Sequence, residues 1–181
     1  DKYYSKWDYY KKFNNNYEYV YNGNKPFINK SVKPISRSYF KLHEITIDKN
    51  INLNNINVLC IAEAPGGFVK NILDRTDTTK IYANSLRSSD RSIPSWNNII
   101  LENDRVTILN GIDNTGDLYN YKNLYNIISI LENNKCELIT ADGGIDYSKN
   151  YNNQEIDSFK LLLCEIYLAL NVQGNNGTFI I

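Results

Sequence analysis

The stretch Val58-Leu59-Cys60-Ile61-Ala62-Glu63-Ala64-Pro65-Gly66-Gly67-Phe68 decides how this chain folds. It opens as a short apolar run of strand type, Val58 to Ile61, and breaks at a Pro-Gly-Gly turn. A helical pattern follows, with Phe68, Val69, Ile72 and Leu73 on one face. Strand, glycine turn and helix form the opening unit of a nucleotide-binding α/β sheet. The two glycines are expected to let the backbone approach a ligand that a Cβ would exclude. Glu63, at the strand's carboxyl end, can accept hydrogen bonds from a ligand hydroxyl or amine. The same residues would also serve as an ordinary βα turn. The dinucleotide fingerprint G-x-G-x-x-G is absent, which disfavours a nucleotide-dependent oxidoreductase.

Downstream, the pattern repeats. Lys80 to Leu86 reads as a second strand, ending on the neutral pair Asn84 and Ser85. Arg105 to Leu109 reads as a third strand, followed by the polar loop Asn110-Gly111-Ile112-Asp113-Asn114-Thr115-Gly116-Asp117-Leu118. Such a loop at a strand's carboxyl end lines the ligand crevice of an α/β sheet. It would equally make an Asx-turn before a helix capped by Thr115 or Asp117. Residues 119–133 give a helix with Leu124, Ile127, Ile128 and Leu131 on one face. Glu137 to Ala141 is a fourth strand that delivers Asp142 to its carboxyl end, where Gly143 and Gly144 leave room for substrate or form a turn. Residues 153–171 read as a long helix turning Ile156, Phe159, Leu163, Ile166 and Leu170 to the sheet, before a fifth strand at Phe179-Ile180-Ile181. Upstream, Ser36 is a plausible N-cap for a helix whose stripe is Tyr39 or Phe40, Leu42 and Ile45. Lys41 sits among those apolar side chains, and spacing alone makes it a snorkelling surface lysine.

Composition sets the outer bounds. The 181 residues are 42% hydrophobic and carry no net charge, enough for one domain with a sizeable core. Charge is unevenly spread: residues 1–41 hold nine Lys/Arg against three Asp/Glu, and residues 42–181 hold eleven against seventeen. Residues 1–34 form a basic arm in which Tyr3, Tyr4, Tyr9, Tyr10, Tyr17, Tyr19 and Tyr21 interleave with lysines. That mixture can stack bases and neutralise phosphates, or pack on the domain through its tyrosines. Cys60, Cys136 and Cys164 lie in or beside apolar runs with no metal-ligand spacing, so no metal is expected. An odd cysteine count, no leader sequence and no apolar run of spanning length point to an intracellular, cytoplasmic protein with no membrane partner. The absence of an initial Met and the stop inside a strand suggest a fragment truncated at its C-terminus.

Three strings carry a family resemblance. Glu63 followed by Ala-Pro-Gly-Gly-Phe resembles motif I of the FtsJ-like ribose 2'-O-methyltransferases, which bind S-adenosylmethionine there. Ser36-Arg37-x-x-x-Lys41-Leu42 resembles the helix that precedes motif I and bears the first catalytic lysine. Ala141-Asp142-Gly143-Gly144 is similar to motif IV, with Asp142 as the catalytic aspartate. The resemblance covers roughly residues 35–181 and implies a Rossmann-like three-layer α/β/α sandwich with a mainly parallel sheet. It also implies that Glu63, Ala64, Pro65, Gly66, Gly67, Phe68, Asn84, Asp113, Asp117 and Asp142 bind the cofactor. In the Asp113-x-Thr-Gly-Asp117 loop, similar to the cap-specific branch that includes large DNA viruses, Asp113 is the better candidate and Asp117 the second.

The family uses a Lys-Asp-Lys-Glu tetrad, of which Lys41 and Asp142 are present here. The second lysine, the expected base, should follow the fifth strand directly, with the glutamate later. The chain is therefore expected to bind cofactor with little or no catalysis. The implied reaction is methyl transfer to a ribose 2'-hydroxyl at the 5' end of capped mRNA. An enzyme acting on ribosomal RNA, and a non-catalytic RNA- or cofactor-binding module of a capping complex, are the alternatives.

Overall fold

The computed structural model describes residues 6, 34–144 and 154–181. The basic tyrosine-rich arm therefore lies outside the described residues, apart from an exposed Lys6 and Pro34 at its end. Ten elements follow in order: α1 (Ser38–Asp48), β1 (Asn57–Ile61), α2 (Gly67–Arg75), β2 (Lys80–Ala83), α3 (Asn98–Leu101), β3 (Val106–Ile108), α4 (Tyr121–Leu131), β4 (Cys136–Ala141), α5 (Gln154–Val172) and β5 (Gln173–Ile180). The five strands form one sheet in the order β3-β2-β1-β4-β5, and every pairing is parallel.

Central strands covered on both faces read as unbroken apolar runs. Val58, Leu59, Cys60 and Ile61 of β1 are all fully buried. The pleat divides them. Val58 and Cys60 join Ile81, Ala83 and Leu138 under α1, α2 and α3, packing on Leu42, Phe68, Val69, Ile72 and Ile100. Leu59 and Ile61 join Tyr82, Ile139 and Ala141 under α4 and α5, packing on Leu124, Ile127, Leu131, Leu168 and Val172. Each such aliphatic side chain contributes roughly 1.5–3 kcal/mol of burial free energy. This is the three-layer sandwich expected from the alternation of elements.

Several local expectations are corrected. Helix α1 begins at Ser38, and its N-cap residue is Arg37 with no side-chain cap; Ser36 Oγ bonds Ser38 Oγ instead. Helix α4 is capped by Asn120, whose side chain accepts the Lys122 N–H, and not by Thr115 or Asp117. The face of α5 is rotated from the one expected. Leu161, Glu165, Leu168, Ala169 and Val172 face the sheet, while Ile156, Phe159, Leu163 and Leu170 are exposed. The helix is apolar nearly all round in its second half, so spacing alone offers two stripes and does not choose between them. No helix among the described residues is long and apolar enough to cross a membrane.

Candidate active site

Strand order runs outward in both directions from the β1/β4 pair, so the loops leaving these two strands diverge and open a crevice at their carboxyl ends. A cavity of about 480 Å³ occupies that place. Ala62 and Ala64 line it from the loop after β1, Asn84 and Leu86 from the loop after β2, and Asp117 and Leu118 from the loop after β3. Asp142 and Gly144 complete it from β4, with Leu161 of α5. Its size suits a small-molecule cofactor with apolar walls and a few fixed polar groups.

At one end stand Lys41 and Asp142, 101 residues apart in sequence. Lys41 Nζ lies 2.8 Å from Asp142 Oδ1 and 2.9 Å from Oδ2. Helix α1, packed on α2 through Leu42 and tied to it by the Tyr39 hydroxyl donating to Asp74, aims the lysine across the top of the sheet to the end of β4. The lysine does not snorkel over its own helix. Its side chain is 58% exposed, so the ion pair adds at most about 1 kcal/mol to stability. The fold gives this pair a location and gains little from it. That economy fits a chemical role.

The loop after β1 is built differently from the sequence expectation. Ala62 takes a positive φ of 54° and Gly66 one of 111°, backbone states that cluster where a chain turns sharply beside a site. The two glycines meet neighbouring elements and not the cavity. A Cβ on Gly66 would lie 2.7 Å from Ile100 Cγ1 of α3, and one on Gly67 would lie 2.1 Å from Ser38 Oγ at the start of α1. Glu63 is 4% exposed, and its Oε1 accepts the Phe68 N–H at 2.8 Å, which ties the carboxyl to the first turn of α2. Burial, reinforced by Asp142, pushes its pKa up to about 8, against the pull of the helix N–H groups and Lys41. Of the motif I residues named from sequence, Ala64 lines the cavity, and Glu63, Pro65, Gly66, Gly67 and Phe68 do not.

The two aspartates of the third loop also separate. Asp113 accepts from the Thr115 N–H and hydroxyl, from Asn120 and from Asn123, which fills both its carboxylate oxygens. Those donors, led by Thr115, hold its pKa well below the usual carboxylate range. Asp113 is the internal brace of the loop, and Asp117 lines the cavity. Asn84, 1% exposed, donates through Nδ2 to the carbonyls of Leu109 and Gly116 at 2.8 and 3.3 Å. A carboxylate there could not donate, so the neutral residue fixes the loop while lining the cavity.

Gly143 and Gly144 have different tasks. A Cβ on Gly144 would meet nothing within 4 Å, so this residue opens onto the cavity; one on Gly143 would lie 2.3 Å from Glu165 Oε1. Glu165 went unremarked in the sequence. It is 3% exposed, Oε1 finds no hydrogen-bond partner among the described residues, and burial together with Asp142 pushes its pKa up to about 7. Its place was not readable locally, since it depends on the helix face formed by Leu161, Leu168, Ala169 and Val172, which spacing alone does not choose. A second cavity of about 410 Å³ lies beside the first, walled by Leu86, Pro94 and Trp96, and Trp96 packs partly into the core.

Residues 34–181 match the FtsJ-like methyltransferase family. Among curated relatives, the chain is 29% identical over 134 residues to a cap-specific mRNA (nucleoside-2'-O-)-methyltransferase of Autographa californica nuclear polyhedrosis virus, covering 74% of this chain and 50% of that protein. It is 27% identical over 165 residues to cap-specific mRNA (nucleoside-2'-O-)-methyltransferase 2 of Pongo abelii, covering 81% of this chain and 21% of that one. The chain thus spans about half the length of the first relative and about a fifth of the second. Among solved structures, a putative ribosomal RNA methyltransferase from Plasmodium falciparum aligns with a TM-score of 0.59 at 22% identity, over 80% of this chain and 76% of that one. A putative hemolysin from Lactococcus lactis aligns with a TM-score of 0.57 at 15% identity, over 82% and 58%. At such identities these two show the shared fold alone. A family match across the sheet, the switch-point cavity and the Lys41–Asp142 pair makes the conclusion plain: the chain belongs to the FtsJ-like methyltransferase family.

Proposed function

We propose that residues 34–181 form the cofactor-binding part of an RNA ribose 2'-O-methyltransferase that takes its methyl group from S-adenosylmethionine and acts at the 5' end of capped mRNA. The observation that carries this reading is the bidentate Lys41–Asp142 pair at one end of a cavity of cofactor size. The residues present fit that cofactor. Asp117 and Asn84 supply polar groups along the wall, Leu86 and Leu118 supply apolar surface for a flat ring, and Gly144 leaves the Asp142 end open. When bound, the cofactor supplies an activated methyl group. The chain's own contribution is to hold Asp142 against Lys41, so that the lysine is positioned beside the reacting hydroxyl. Strand β5 ends with Ile180 beside Thr140, so chain continuing past Ile181 emerges next to Asp142, where the family's second lysine belongs. The cap preference is supported by the names of the viral and primate relatives.

Calorimetric titration with S-adenosylmethionine tests the first half of the reading. Gly144→Val fills open space without touching the fold and is expected to abolish binding while leaving the melting temperature unchanged. Undiminished binding by the valine variant would place the cofactor elsewhere. Fluorescence titration with a capped and an uncapped RNA oligonucleotide tests the second half, since equal affinity would remove the case for the cap.

A further inference from the structure

We infer that Glu165 lets this site distinguish the positively charged methyl donor from its uncharged thioether product. The inference rests on the S-adenosylmethionine reading above. Glu165 lies one turn after Leu161, the α5 residue in the cavity wall, and is 3% exposed. Its Oε1 sits where the loops after β1 and β4 meet: a Cβ on Gly143 would lie 2.3 Å from it and 3.1 Å from the Ala62 Cβ. Ala62 and Asp142 line the cavity on either side of that point. The oxygen thus lies behind the reacting end marked by Lys41.

Three carboxyl groups gather there, and they are not equally provided for. Asp142 has both oxygens on Lys41, and Glu63 has the N–H of Phe68. Glu165 Oε1 has no donor among the described residues. A buried carboxyl group with no partner is costly, and a cation brought to it recovers that cost. Donor and product differ at this end only: the donor's sulfur carries a methyl group and a permanent positive charge, and the product's sulfur carries neither. A negative centre behind the cavity therefore favours the donor and adds nothing to affinity for the product. Burial favours the protonated Glu165 carboxyl, and a cation at this end of the cavity draws it to the ionised form, so the negative centre is complete when the donor is bound.

Titration of the chain with S-adenosylmethionine and separately with S-adenosylhomocysteine tests this. The wild-type chain is expected to bind the donor more tightly than the product by about tenfold or more. Glu165→Gln is expected to bring the two affinities within about twofold by weakening the donor alone, because product binding does not depend on the charge. Glu165→Met, an apolar chain of similar length, removes the buried carboxyl without loss of stability and is expected to show the same result. Equal loss of donor and product affinity in both variants would make Glu165 a packing residue and overturn the inference. So would a wild-type chain that binds both ligands equally. Binding of neither ligand by a folded wild-type chain would instead overturn the cofactor reading.

Discussion

Single side chains at this site separate chemical from structural duty by how their hydrogen bonds are used. Asp113 spends both oxygens on Thr115 of its own loop and on Asn120 and Asn123 at the start of α4, whereas Asp117 lines the cavity and accepts the Tyr119 N–H with one oxygen. Asp113→Ala is therefore expected to lower the melting temperature, and Asp117→Ala to weaken donor binding by about tenfold at an unchanged melting temperature. Thermal melts and calorimetry on the two variants check both, and the reverse pattern would make Asp113 the ligand residue. Lys41 makes the same point through magnitude. An exposed ion pair contributes little, so Lys41→Ala is expected to change unfolding free energy by less than about 1 kcal/mol in urea titration. On the proposed reading, RNA methyl transfer by a protein that also carries the family's later catalytic residues is expected to fall by about a hundredfold or more in Lys41→Ala. A loss of several kcal/mol with transfer intact would make the pair a structural clamp.

Helix α5 shows what an element adds that its residues do not. It turns Leu168 and Val172 to the sheet and leaves Leu170 71% exposed. Leu168→Ala is accordingly expected to destabilise the chain by about 2–5 kcal/mol. Leu170→Ala should fall within about 0.5 kcal/mol of wild type. Equal losses in denaturant unfolding would show that something covers Leu170. The strands themselves were legible in the sequence because buried parallel strands carry one unmistakable mark, an apolar run closed by a glycine or polar loop. Val58–Ile61 and Leu138–Ala141 both read that way. The face of α5 was not legible, since Leu161, Leu162, Leu163, Ile166, Leu168, Ala169 and Leu170 leave no polar side to fix its rotation. The purpose of Gly66 and Gly67 was hidden for another reason. The atoms they admit belong to Ile100 and Ser38, about thirty residues away on either side, and no local pattern records such a contact. Lys41 and Asp142 could be named from the family's strings, but only the packing of α1 on α2 brings them together.

For the whole molecule, the switch point concentrates carboxyl groups in a place that folding makes dry, and stability must then depend on pH in a definite direction. Glu63 is pushed up to about 8 and Glu165 to about 7, chiefly by burial. The folded chain keeps these protons where the unfolded chain has lost them, from roughly pH 4.5 upward. Stability therefore falls as pH rises toward the folded values and levels off above about 8, by an amount on the order of a few kcal/mol. His43 acts in the opposite sense: burial and the nearby Arg75 lower its pKa, so its contribution rises with pH and is complete above about 7. The interval from pH 7 to 8 isolates the carboxyl groups, since the buried thiols of Cys60 and Cys136 begin to weigh against the fold only at higher pH, where the unfolded thiols ionise. Urea unfolding at these two values is expected to give lower stability at pH 8, with a smaller drop in Glu165→Gln. A saturating cationic donor should reduce the drop further, because a positive charge beside the carboxyl groups makes their ionised forms acceptable in the folded chain. Stability that stays level or rises across this interval would mean that both groups are already ionised in the fold, and that the dry acidic end of the cavity holds no proton to give up.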